Sequence, residues 1–138
     1  MTTYRKLYQP ANTLIGAGAI NDMPHYVQRI QGEKALVVSD EGLVKIGTVK
    51  KVLSVLDNAH IEYILFTDVK PNPTVSIVNA AYEAAAKGNC DYIIGIGGGS
   101  PLDVAKAVGI LITTGGDIRD YAGANKSARP GLPLIAVN

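Results

Sequence analysis

Cysteine is almost missing from this 138-residue chain, where Cys90 stands alone. A single thiol excludes an internal disulfide and a paired-thiolate metal clamp, and it is compatible with a reducing compartment. Histidine is nearly as scarce. His25 and His60 are the only two, isolated at predicted helix ends or loops, where a metal would find no companion ligand and a solvated surface role suffices. Neither sign of charge is in excess, because 13 Lys and Arg offset 12 Asp and Glu to leave a formal +1. With those charges scattered, the electrostatic footprint of a nucleic-acid or anionic-membrane binder is absent, and a small, nearly neutral partner is expected. Long apolar runs are also lacking. Nothing approaches the ~18 apolar residues that span a bilayer, and the basic residues of MTTYRKLYQP are not followed by the apolar stretch of a secretory signal. The expectation is a cytoplasmic protein that engages no nucleic acid and no membrane.

What is present is ordinary globular material, 47% hydrophobic and 18% charged, at a length that suits one domain. Four short apolar runs stand out: Ala35 to Val38, Tyr63 to Phe66, Tyr92 to Ile96 and Leu134 to Val137. They are continuous rather than alternating, as strands buried on both faces of a parallel sheet should be. Between them apolar residues recur at helical spacing: Ile46, Val49, Leu53 and Leu56; Val75, Val78, Tyr82 and Ala85; Val104, Val108 and Leu111. This alternation predicts a doubly wound, mainly parallel α/β sheet with its ligand site at the carboxyl ends of the strands. The segment Arg5 to Ile15, interrupted by Pro10 and Asn12, reads as an edge strand or hairpin. A helix is expected from about Ala19 to Ile30, with Pro24 in its first turn or at a kink, and Gly16-Ala17-Gly18 reads as the turn that leads into it. Gly115 to Pro133 is a loop with one brief helical possibility around Asp117 to Tyr121. Tyr82 and Tyr92 are expected in the core, Lys106 on a solvated face, and Cys90 as a small structural residue with no nearby base.

The densest signal is GIGGGSPLDVAK, residues 95–106, with four glycines in its first five positions. It follows a predicted strand and opens a predicted helix, the context in which a glycine cluster gains meaning. Ser100 reads as the N-cap, Pro101 as the first helical residue, and Asp103 as the partner in a capping-box-like arrangement. Gly97, Gly98 and Gly99 would then present bare N–H groups beside a positive helix terminus, a site for phosphate or pyrophosphate. The competing explanation is a tight strand-to-helix turn that needs glycine for its own conformation. The usual dinucleotide pattern wants glycine where Ser100 stands, and the P-loop wants Gly-Lys-Ser/Thr, so this is neither. Asp40, ending the first apolar run, could accept from the hydroxyls of an adenosine ribose or simply cap a helix before Glu41. Asn72, in Pro71-Asn72-Pro73-Thr74, would point toward the same crevice, although by itself it reads as turn chemistry.

GGGSPLDVAKA, taken with VSD at 38–40, PNPT at 71–74 and PLIAVN at 133–138, resembles the amino-terminal half of the iron-containing (group III) alcohol dehydrogenases. The match runs through the whole chain in order and is most similar to the branch of lactaldehyde reductases, 1,3-propanediol dehydrogenases and NAD-dependent methanol dehydrogenases. The resemblance implies a Rossmann-like domain over residues 1–138 that binds NAD, with Gly97, Gly98, Gly99 and Ser100 on the pyrophosphate and Asp103 near the nicotinamide end. Asp40 would take the adenosine ribose and Asn72 the nucleotide crevice. It also implies interconversion of a small alcohol and its aldehyde or ketone, assisted by a divalent metal, usually iron, held by one Asp and three His on an all-helical second domain. Nothing in this chain matches those ligands, so no metal ligand and no catalytic residue is expected here. The chain is expected to be a truncation, inactive alone, and a homo-oligomer through its exposed apolar surface. The alternative is a stand-alone nucleotide-binding or regulatory module without catalysis, and a third is a structural fragment that binds nothing.

Overall fold

The computed structural model describes residues 12–122, 127 and 129–138. Each continuous apolar run forms a strand: β1 Lys34–Val38, β2 Glu62–Phe66, β3 Tyr92–Ile96 and β4 Leu134–Val137. The intervening segments form α1 Met23–Arg29, α2 Glu41–Lys45, α3 Thr48–Asn58, α4 Val75–Lys87 and α5 Gly99–Thr114. The strands lie in the order β2-β1-β3-β4, and every pairing is parallel.

Successive strand residues point to opposite faces, so a strand covered on both sides needs apolar residues throughout. Along β1, Leu36 and Val38 enter one core layer with Ile93 and with Val78, Ala81, Val104 and Val108 of α4 and α5. Ala35 and Val37 enter the other, with Ile94, Ile96, Val27 of α1 and Val49, Val52 and Leu56 of α3. The continuous runs at β1 and β3 thus record burial on two faces. At the edges the same run means less, since β2 leaves Leu65 41% exposed.

Several boundaries differ from expectation. Residues 12–15 carry no strand, and the rest of the anticipated hairpin, residues 5–11, lies outside the described residues. The first helix is split into a 3-10 turn, Ala19–Asp22, and α1, with Pro24 in the opening turn of α1, where its missing N–H costs nothing. Ile46 is 73% exposed between α2 and α3, and the buried stripe of α3 is Val49, Val52 and Leu56 instead. Gly47, at φ 86, breaks the helix in two just after Ile46 and so takes that residue off the stripe. The expected helical turn near Asp117 to Tyr121 is a 3-10 helix, Ile118–Tyr121. Within α5, Gly109 lets the chain before β4 pass close by: a Cβ there would stand 3.3 Å from the Leu132 nitrogen, whose N–H donates to the Gly109 carbonyl.

Tyr92 starts β3 with no exposed surface, and its hydroxyl has no hydrogen-bond partner among the described residues. Burial, helped by the charge of Asp91 and by Cys90, pushes its pKa from 10.0 up to about 12. A group held protonated in the fold but not in the unfolded chain stabilises fully below the unfolded pKa, and that contribution is lost as pH rises through the folded one. Tyr92→Phe should therefore keep stability at neutral pH within about 1 kcal/mol and should flatten the decline in chemical-denaturation midpoint between pH 10 and 12. An unchanged alkaline decline in the variant would assign it to other groups.

Candidate functional site

In an open α/β sheet the crevice forms where neighbouring strands send their crossovers to opposite faces. Here that point lies between the carboxyl ends of β1 and β3, which continue into α2 and α5. The β1–β3 pairing ends at Val38 with Gly95. The Ser39 N–H donates to the Phe66 carbonyl of β2, while its hydroxyl, fully buried, donates to the Ile96 carbonyl of β3 at 2.9 Å. The opening above them is a crevice of about 520 Å³ lined by Asp40 to Gly42, Lys45, Val69 to Pro71 and Gly98 to Pro101.

The glycine loop divides its labour. Gly97 adopts φ 129, and a Cβ there would stand 2.8 Å from Leu43 Cδ1 and 3.0 Å from Pro101 Cγ. Its N–H donates to the Val137 carbonyl of β4. Gly97 is therefore committed to the sheet and, contrary to expectation, presents no bare N–H to a ligand. Gly98 and Gly99 differ. A Cβ on either would meet no atom within 4 Å, and both have negative φ, so nothing inside the chain demands glycine at either position.

Helix capping also differs from expectation. The N-cap of α5 is Gly98, with no side-chain cap, so Ser100 and Pro101 fall within the first turn and Asp103 a residue beyond it, exposed and outside the crevice lining. The cause is the extended Gly98 backbone, φ −84 and ψ −151, which makes Gly98 the N-cap and starts the helix at Gly99, two residues ahead of Pro101. Because the opening amides of a helix have no intrahelical acceptor and Pro101 has no N–H, the donors left at this end are those of Gly99 and Ser100, with Gly98 just ahead.

Asp40 is the N-cap of α2: its Oδ1 accepts from the Leu43 N–H at 2.9 Å. Its other oxygen has no hydrogen-bond partner among the described residues. Thr74 caps α4 in the same way at 3.3 Å, closing the PNPT turn. Asn72 is exposed at φ 52 beside the lining residue Pro71, and is not itself part of the lining. Sequence reasoning missed the lysines. Lys45 and Lys70 both line the crevice, and Lys70 Nζ sits 3.2 Å from Asp68 and 3.7 Å from Glu41. The hydrogen bond to Asp68 and the charge of Glu41 raise its pKa. No motif marks a lone lysine in the loop between β2 and α4, so only the three-dimensional arrangement reveals it.

Elsewhere the surface offers less. A hollow of about 250 Å³ lies against the Gly16-Ala17-Gly18 turn, and the Ala19 and Asn21 amides beside it are used within that turn. His25 and His60 are exposed, and no group of three His, Cys, Asp or Glu comes together among the described residues.

The sequence profile for iron-containing alcohol dehydrogenases matches residues 10–138. Alcohol dehydrogenase 4 of Schizosaccharomyces pombe is 41% identical over 131 residues, which are 95% of this chain and 31% of that protein. The crystal structure of a 1,3-propanediol oxidoreductase superposes with TM-score 0.85 at 41% identity, over 89% of this chain and 32% of that one. Sulfoacetaldehyde reductase from Bifidobacterium kashiwanohense, solved in complex with NAD+, superposes with TM-score 0.82 at 28% identity, over 98% of this chain and 36% of the other. The chain thus spans about a third of the length of the curated relatives it matches.

Proposed function

Since the chain belongs to the iron-containing alcohol dehydrogenase family, we propose that the crevice between β1 and β3 holds NAD and presents it for hydride exchange with a small alcohol or its aldehyde. One observation carries this reading: two adjacent glycines, Gly98 and Gly99, stand where a Cβ would face open space. Space kept empty in front of a helix N-terminus suits a pyrophosphate, because backbone N–H groups can approach its oxygens and the helix dipole favours its charge. In this assignment Gly98, Gly99 and Ser100 donate to the pyrophosphate, while Gly97 shapes the loop. Lys45 and Lys70 add positive potential at the rim. The free carboxylate oxygen of Asp40 accepts from the ribose hydroxyls and repels a 2′-phosphate, favouring NAD over NADP. Asn72 and Asp103 are assigned to the outer crevice and the nicotinamide end on family resemblance. The nicotinamide ring supplies the hydride chemistry when bound.

Calorimetric titration tests the reading. NAD should bind saturably and NADP about tenfold or more weakly, and Asp40→Ala should narrow that ratio while costing ~1 kcal/mol of stability through the lost cap. Failure of both nucleotides to bind would sink the proposal. The described residues offer no donor set for the family's metal. The 138 residues alone should show no aldehyde-dependent oxidation of NADH above background, and turnover would place the chemistry within them.

A further inference from the structure

We infer that Ser39 is a positioning residue for the cofactor: its hydroxyl sets the entry of the glycine loop by tying the end of β1 to the last carbonyl of β3. The inference rests on the NAD reading of the crevice. Ser39 has no exposed surface at all, and its hydroxyl, unlike the buried one of Tyr92, is hydrogen-bonded. It occupies the first position after β1, where the β1–β3 pairing has ended and its own N–H continues the ladder to Phe66 of β2. A β1 backbone donor no longer serves the Ile96 carbonyl, and the side-chain hydroxyl takes its place at 2.9 Å. An apolar side chain there would leave a buried carbonyl unsatisfied, which proteins avoid.

The bond matters for function because of its neighbours. Ile96 immediately precedes Gly97, whose N–H is held by Val137 of β4. The peptide entering the loop is thus pinned from both sides, by Ser39 through its carbonyl end and by β4 through its amide end. The Gly98 and Gly99 amides follow directly. On the other flank, Asp40 is the residue next to Ser39, and its own position is secured independently by the Leu43 amide. The hydroxyl therefore fixes the distance between the two parts of the crevice assigned to ribose and pyrophosphate. Removing it should release the pyrophosphate half and leave the ribose half in place.

The test uses NADH fluorescence titration, with ADP and adenosine as competitors, on the wild-type chain and three variants. Ser39→Ala should weaken NADH and ADP about tenfold while adenosine changes less than about twofold. Ser39→Cys keeps the volume but only a weak donor, and it should behave like Ser39→Ala, giving the same readout should the alanine variant fail to fold. Ser39→Thr, which retains the hydroxyl, should restore most of the affinity. In ¹⁵N spectra of the ligand-free protein, the Gly98 and Gly99 amides should shift or broaden in the alanine or cysteine variant. Wild-type affinity for NADH and ADP in those variants would overturn the inference. So would an equal loss of NADH, ADP and adenosine, the mark of a merely structural role. If the wild-type chain binds no NADH, the NAD reading itself fails, and the two failures are told apart.

Discussion

Gly99→Val is expected to leave the chain folded and to weaken NAD binding about a hundredfold, near 2.7 kcal/mol. The first half follows from the space around the residue. A Cβ at Gly99 would face open space, and in the first turn of a helix valine has a propensity a few tenths of a kcal/mol better than the glycine it replaces. The second half follows from what occupies that space when NAD is present. Two branched methyl groups would push the pyrophosphate away from the Gly98, Gly99 and Ser100 amides, and hydrogen bonds to a charged group contribute ~1.5–3 kcal/mol each. The contrast is Gly97→Val. There the new Cβ would lie 2.8 Å from Leu43 Cδ1 at φ 129, so that variant should lose stability rather than affinity alone. Thermal melts and calorimetry on both proteins separate the outcomes. Unchanged NAD affinity in Gly99→Val would remove the pyrophosphate from this helix end.

The largest loss of stability is expected from Leu36→Ala. Leu36 has no exposed surface, lies at the middle of central strand β1, and packs in the layer formed with α4 and α5. Truncating a fully buried leucine removes its transfer free energy and leaves a cavity that neighbours on a parallel sheet cannot readily close. Such changes cost ~2–5 kcal/mol. For a chain of this size a loss of ~3 kcal/mol lowers Tm by about 10 °C. Because Leu36 is remote from the crevice residues, the folded fraction should bind NAD with nearly wild-type affinity. A Tm drop of only a few degrees would mean that this layer relaxes around the void, and a parallel loss of NAD affinity would show that the sheet centre shapes the loop.

Much of this architecture is legible in the sequence. The runs Tyr92 to Ile96 and Leu134 to Val137 coincide with β3 and β4 to the residue, because burial on both faces or tight pairing leaves no polar position to blur the ends. The buried stripe of α5 through Val104, Val108 and Leu111 was equally plain. What escaped reading depends on contacts between distant residues. Gly97 looked like its two successors until the Val137 carbonyl took its amide. Ser100 looked like a cap because local spacing cannot foresee the extended Gly98 backbone. Ser39 and Ile96 are 57 positions apart, and Lys70 joins the crevice because parallel pairing brings the loop after β2 beside Glu41. Helix α3 began later than its period suggested because Gly47 resets the chain after Ile46.

In the proposed NAD assignment the carboxylate of Asp40 has two tasks, holding the Leu43 amide with one oxygen and offering the other to the ribose. That assignment ties nucleotide preference to the integrity of a five-residue helix, Glu41–Lys45. A lineage drifting toward NADP could not discard the acid freely. Serine, threonine and asparagine cap nearly as well as aspartate without its charge, so a change such as Asp40→Asn or Asp40→Ser offers a passable route, whereas an apolar replacement would give up the ~1 kcal/mol of the cap along with the charge.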